Sequence, residues 1–82
     1  MSGIYRITGR QLAAARQLSG MSQASLAEAA NVSKQTVSRM ETSKGIVRGC
    51  THNIQAVRAV IEARGIEFTR GGAFDVQTRA LP

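Results

Sequence analysis

Residues 33–41 read SKQTVSRME and predict a short helix with one polar face. At 100° per residue, four polar side chains fall within an arc of about 140°. They are Lys34, Gln35, Ser38 and Arg39. Glutamine can form two hydrogen bonds with adenine, and arginine or lysine can donate to the acceptor edge of guanine. This set of groups suits the base edges of a DNA major groove. The alternative is an ordinary solvated helix face.

The composition describes one small basic domain. The chain has 82 residues, with 11 Lys+Arg against 5 Asp+Glu and a formal net charge of +6. A chain of this length forms a single compact core, with no room for a second domain. The positive charge favours a polyanionic partner, either nucleic acid or an acidic membrane surface. A charge that serves only solubility is the alternative.

The same composition argues against catalysis and metal binding. Cys50 is the only cysteine and His52 the only histidine, which excludes an internal disulfide framework and a cysteine-rich zinc site. No Ser/His/Asp or Cys/His arrangement can be assembled, so we expect no enzyme activity and no cofactor. The first ten residues lack the apolar run of a signal peptide, and no stretch approaches a membrane span. We expect a cytoplasmic protein with no membrane partner.

Three helix starts carry the same signature: an apolar residue, then Thr or Ser, then an apolar residue four positions after the cap. The three sets are Ile7-Thr8 with Leu12, Met21-Ser22 with Leu26, and Val32-Ser33 with Val37. Gly20 is a suitable residue to end the first helix. Asn31 tolerates the left-handed conformation and can turn the chain between the second and third helices.

The remainder of the chain predicts one more helix and a hairpin. After Glu41 the sequence TSKGIVRGC indicates a polar loop, and a fourth helix runs from about residue 51 or 52 to residue 64, ending at Gly65. Beyond it, apolar and polar residues alternate on both sides of a glycine pair, which predicts a β-hairpin. The alternating apolar or β-branched positions are Ile66, Phe68, Phe74, Val76 and Thr78, and the pair is Gly71-Gly72.

Two helices joined by a tight turn, the second of them basic, form a helix-turn-helix. The run MSQASLAEAANVSKQTVSRMETSKG resembles the Cro/C1-repressor type, called the XRE family. The matching positions are Arg16, Gln23, Leu26-Ala27, Val32-Ser33, Thr36-Val37-Ser38 and Glu41. The resemblance covers about residues 8–64. It departs from the family at Asn31, where glycine is usual, and after Glu41, where the glycine is delayed to Gly45.

The resemblance implies a mainly α fold, a four-helix lambda-repressor-like helix-turn-helix domain. The alternating pattern adds a short C-terminal β-hairpin or strand, where family members commonly have a fifth helix. The DNA-binding domain would span residues 1–65, with the helix-turn-helix at about 22–43. Residues 66–82 would form a C-terminal strand or hairpin segment and a possible dimerisation element.

The resemblance also implies roles for individual residues. Base reading would fall to Lys34, Gln35, Ser38 and Arg39. Phosphate contacts would fall to Gln23, Ser33 and Thr36. Lys44 and Arg48 are further candidate phosphate contacts because they lie in the loop after the recognition helix. Arg16 and Glu41 would form a structural ion pair between the first helix and the recognition helix. For Gln23, the alternative is a first-turn residue without a ligand.

The expected function is a sequence-specific, double-stranded-DNA-binding transcriptional regulator, a repressor of bacterial or phage type. We expect a homodimer through residues 66–78, since two recognition helices about 34 Å apart fit one turn of DNA. A hairpin folded back on its own chain is the alternative. The sequence also leaves open an antitoxin that masks a toxin, and a protein-interaction module that does not read DNA.

Overall fold

The computed structural model describes residues 7–68 and 76–78, with the backbone alone described at residues 67 and 76–78. Four helices are followed by two short strands. In chain order they are α1 (Gly9–Ser19), α2 (Gln23–Ala30), α3 (Lys34–Glu41), α4 (Thr51–Ala63), β1 (Ile66–Phe68) and β2 (Val76–Thr78). The mainly helical, four-helix fold predicted from the sequence is confirmed.

Hydroxyl side chains cap the first three helices where the sequence predicts. Thr8 forms a full capping box, in which its Oγ1 accepts the Gln11 N–H at 3.0 Å and its own N–H donates to Gln11 Oε1 at 3.0 Å. Ser22 accepts from the Ser25 N–H at 3.0 Å at the start of α2. Each cap satisfies a backbone donor that has no partner inside its helix. The predicted starts of these helices are therefore confirmed.

Left-handed residues end α1 and α2 and set the turns that follow. Gly20 has φ 79°, and the N–H of Met21 donates to the carbonyl oxygen of Arg16 at 3.3 Å. Asn31 has φ 61° and ψ 43°, and the N–H of Val32 donates to Ala27 O at 2.9 Å. Both ends have the hydrogen-bond pattern of a Schellman motif. The prediction that Asn31 supports a left-handed turn is confirmed.

One hydrophobic core joins all four helices and β1. Its largest fully buried side chains come from each of these elements. They are Leu12 of α1, Leu26 of α2, Val37 of α3, Val57 and Ile61 of α4, and Ile66 of β1. Because α3 gives only one side to this core, its other side is free to face a partner.

The loop after α3 is anchored to the start of α1. The Val47 N–H donates to Ile7 O at 2.8 Å, and the Gly9 N–H donates to Gly45 O at 3.1 Å. Val47 is only 6% exposed. The sequence predicts a polar loop here, and this prediction is incomplete. The apolar Val47 adds a buried anchor inside an otherwise polar stretch, and its pairing with residue 7 holds the loop in place.

The two strands pair antiparallel beside α1 and α4. Ile66 lies opposite Thr78, and Phe68 lies opposite Val76. The side chains of Ile66 and Phe68 are buried in the common core. The proposed turn at residues 71–72 and Phe74 lie outside the described residues.

The described ranges, 7–68 and 76–78, contain neither a metal-binding cluster nor a membrane-spanning helix. No group of three or more His, Cys, Asp or Glu side chains lies close enough to hold a metal ion. No helix in these ranges combines the length and the apolar character needed to cross a membrane.

Candidate nucleic-acid interface

The turn between α2 and α3 fixes the start of α3. Ser33 is its N-cap, with its Oγ accepting the Thr36 N–H at 3.1 Å. The hydroxyls of Ser33 and Thr36 lie 2.8 Å apart and share a hydrogen bond. Both residues, predicted as phosphate contacts, therefore also serve the helix start. Since two hydroxyls share one hydrogen bond, one of their two hydrogens remains for an outside acceptor.

The outer side of α3 presents the four predicted base-reading residues. Lys34, Gln35 and Arg39 are exposed and Ser38 is half-buried, while Val37 and Met40 are buried behind them. Across residues 7–68, the side chains of Lys34, Gln35 and Arg39 make no hydrogen bond or ion pair. Their donors and acceptors are therefore available to a ligand at this surface.

The end of α3 is tied to α1 by an ion pair. Arg16 Nε donates to Glu41 Oε2 at 2.6 Å, and Arg16 Nη2 donates to Glu41 Oε1 at 3.2 Å. The side chains are 14% and 6% exposed, so the two charges are largely withdrawn from water. Arg16 Nη1 also donates to the carbonyl oxygen of Met21 at 3.0 Å. Because the Arg16 guanidinium binds all these acceptors, it fixes the relative positions of α1, the end of α3 and the turn before α2.

Gln23 joins the same carboxylate from α2. Its Nε2 donates to Glu41 Oε1 at 3.0 Å. Gln23, predicted from the sequence as a phosphate contact, is the first residue of α2, and it is half-buried and in contact with Glu41. Sequence reasoning missed this second contact. The pairing of side chains from two helices depends on how the helices pack, and no local pattern reports it.

The two loop residues predicted to contact phosphate are both exposed, but they lie in different grooves. Arg48 lines an open groove together with Arg39, Thr36 and the first turn of α4, including Asn53. Asn53 was not singled out from the sequence, where its only signal is its position near a helix start. Glu41 is the only carboxylate on α3 and already pairs with Arg16, so it does not offset the charges of Arg39 and Arg48.

Lys44 lies in the other groove, which runs between the start of α1 and the end of α3. Its lining residues include Thr8, Arg10 and Thr42. The structure therefore places the four base-reading candidates on one helix, while the phosphate candidates lie at the starts of α2 and α3 and on the loop after α3.

A family model described as a helix-turn-helix domain matches residues 8–66, from the cap of α1 to the first residue of β1. No curated protein matches the chain. The matched span contains every candidate residue of the surface described above.

Proposed function

The chain belongs to the helix-turn-helix domain family, which is typical of XRE-like DNA-binding regulators, and on this premise we propose that it is a sequence-specific transcriptional repressor. In this proposal α3 enters the major groove of double-stranded DNA. The family is typically non-enzymatic, so the proposed activity is binding.

The exposed polar face of α3 is the observation that carries the proposal. Gln35 and Lys34 lie in the first turn, the part of a recognition helix that approaches bases most closely. We assign Gln35 to an adenine, and Lys34 and Arg39 to guanine or phosphate, with Ser38 completing the base-reading set. The absence of internal partners for Lys34, Gln35 and Arg39 within residues 7–68 supports this assignment.

Phosphate contacts position α3 in this proposal without reading sequence. Gln23 lies at the start of α2, where backbone N–H groups lack intrahelical acceptors and favour an anion. The remaining hydroxyl hydrogen of the Ser33–Thr36 pair is a donor at the start of α3. Lys44 and Arg48, both exposed, add positive charge on the loop that follows.

We further propose that two copies bind together through residues 66–78. Among residues 7–68 and 76–78 the sheet has two strands, and each has an edge without a strand partner there, which can accept a strand from another chain. Ile66 and Phe68 are buried in their own core, so pairing of two copies would use backbone edges. A sheet that only packs on its own chain is the competing arrangement. We also propose that the DNA-binding domain ends at residue 65 and that the dimerisation segment begins at residue 66.

Selection from a randomised library of duplex DNA, followed by sequencing, tests both proposals. The proteins are the wild type, Gln35→Ala and, as a matched control, Gln17→Ala, which removes an exposed glutamine on α1. We expect enrichment of a two-fold symmetric site, relaxed at one base pair per half-site in Gln35→Ala and unchanged in Gln17→Ala.

Two other outcomes would contradict parts of the proposal. An enriched site without two-fold symmetry would support base reading and count against the dimer. No enrichment, with salt-sensitive binding that Gln35→Ala leaves unaltered, would count against base reading. The chain would then be better interpreted as a protein-interaction module or, if a second protein co-purifies through residues 66–78, as an antitoxin.

A further inference from the structure

Glu41 is the point at which α1, α2 and α3 meet through polar side chains. Its carboxylate receives the guanidinium of Arg16 and the amide of Gln23, and both donors reach the same oxygen, Oε1. A carboxylate is an acceptor only, so whatever faces it must donate. This requirement determines the orientation of any amide side chain that contacts it.

Gln23 is therefore held in one of its two amide orientations. An amide flipped by 180° would turn its oxygen toward the Glu41 carboxylate and exchange a 3.0 Å hydrogen bond for repulsion between two acceptors. In the retained orientation one Nε2 hydrogen is bound to Glu41 and the second remains. That second hydrogen is a donor at the first turn of α2, where the backbone also has unpaired N–H groups.

From this geometry we infer that Glu41 is a positioning residue for a phosphate contact made by Gln23. Glu41 keeps the amide nitrogen of Gln23 in its donor orientation, and Gln23 then donates its free hydrogen to a DNA phosphate. The inference rests on the proposed function. It adds that the carboxylate ending the recognition helix also prepares the phosphate contact on α2.

Arg16 holds the carboxylate in place for this role. Its fork occupies both oxygens of Glu41, and its third nitrogen contacts the Met21 carbonyl two residues before Gln23. The ion pair therefore fixes the acceptor and the backbone that carries the donor. A purely structural pair would stabilise the fold without affecting how Gln23 contributes to DNA binding.

The test compares the effect of Gln23→Met on DNA affinity in two backgrounds. Methionine keeps the length of the side chain and removes its polar atoms. One background is the wild type, and the other is Arg16→Met/Glu41→Leu, which replaces both charges together by apolar groups. Thermal unfolding followed by circular dichroism establishes that each protein is folded. Affinity is measured on a single duplex taken from the library selection.

We expect Gln23→Met to weaken binding about tenfold in the wild type, as for the loss of a hydrogen bond to a charged group. In the Arg16→Met/Glu41→Leu background we expect Gln23→Met to weaken binding about threefold or less. Without Glu41 the Gln23 amide is not held in its donor orientation, so ordering it on binding offsets part of the gain from its hydrogen bond. Equal losses in the two backgrounds, or no loss in the wild type, would overturn the inference and leave DNA binding intact. A wild type that binds no duplex would overturn the proposed function and the inference with it.

Nuclear magnetic resonance gives a second test, which uses only the wild-type protein and therefore does not depend on whether any variant folds. The side-chain NH₂ hydrogens of Gln23 should exchange with solvent more slowly than those of Gln17, an exposed glutamine with no such acceptor. Adding duplex DNA should shift the Gln23 signals and leave those of Gln17 in place. Identical behaviour of the two glutamines in both experiments would overturn the inference.

Discussion

The α-carbon of Gly9 lies directly against the end of α3, so that a β-carbon at residue 9 would stand 2.8 Å from the carbonyl oxygen of Met40. The same β-carbon would be 2.7 Å from the carbonyl oxygen of Glu41 and 2.6 Å from that of Ser43. All three neighbours are backbone atoms, which cannot rotate away as a side chain could. Gly9 therefore sets how closely the start of α1 approaches the recognition helix.

Gly9→Ala should destabilise the domain. The added methyl group must push the start of α1 away from α3, and overpacking of this kind costs about 1–3 kcal/mol. Gly45→Ala is the matched control, since a β-carbon there meets nothing within 4 Å. Urea denaturation should show a lower free energy of unfolding for Gly9→Ala and a value close to wild type for Gly45→Ala. Equal stability of the two variants would contradict the close approach.

The ion pair between Arg16 and Glu41 should be costly to break from one side. Arg16→Met removes the main partner of the Glu41 carboxylate, whose side chain is only 6% exposed. Glu41→Leu likewise leaves the Arg16 guanidinium without its carboxylate partner. Loss of one member of a buried pair costs about 3–5 kcal/mol, with the lower end expected here because Arg16 keeps some contact with water. Replacement of both together should cost less than the sum of the single changes.

Urea denaturation of the two single variants and the double variant measures this difference. The free energies of unfolding then give the coupling between residues 16 and 41. Additive losses would mean that the pair contributes only as two independent side chains. The double variant also supplies the background needed to test the role of Gln23.

Local signals allowed most of the fold to be predicted from the sequence. Capping by Thr8 and Ser22 depends on residues three positions apart, and the turn at Asn31 depends on the conformational preference of one residue. The polar arc of α3 follows from helical periodicity, and the structure buries Val37 and Met40 on the opposite side. Each of these features is decided within one or two turns of chain.

Contacts between segments that are distant along the chain were harder to predict from the sequence. The close approach of Gly9 to α3 and the pairing of Val47 with Ile7 join residues about thirty to forty positions apart, and neither leaves a local pattern. The Gln23–Glu41 hydrogen bond likewise depends on how α2 packs against α3. The partnership of Arg16 with Glu41 was indicated only by family resemblance. The base-reading roles of Lys34, Gln35, Ser38 and Arg39 stay a prediction.

Asn31 provides a test of the turn that sets α3. With φ 61° and ψ 43°, an alanine would be held in the left-handed region, at a cost of roughly 1–2 kcal/mol. Asn31→Gly should be tolerated, since glycine adopts this conformation readily. Thermal unfolding should give a lower midpoint for Asn31→Ala than for Asn31→Gly. The same midpoint for both variants would show that the turn relaxes to a different conformation.

The salt dependence of DNA affinity should separate phosphate contacts from base contacts. Arg48→Ala and Lys44→Ala each remove one exposed positive charge on the loop after α3. If each neutralises one phosphate, each variant should lower the slope of log K against log salt by about 1 and weaken binding equally on all sequences. Arg64→Ala, which removes an exposed charge at the far end of α4, should leave the slope unchanged. If Arg64→Ala lowers the slope equally, the three variants report net charge and not phosphate contacts. An unchanged slope in Arg48→Ala and Lys44→Ala would show that these two residues do not contact the DNA.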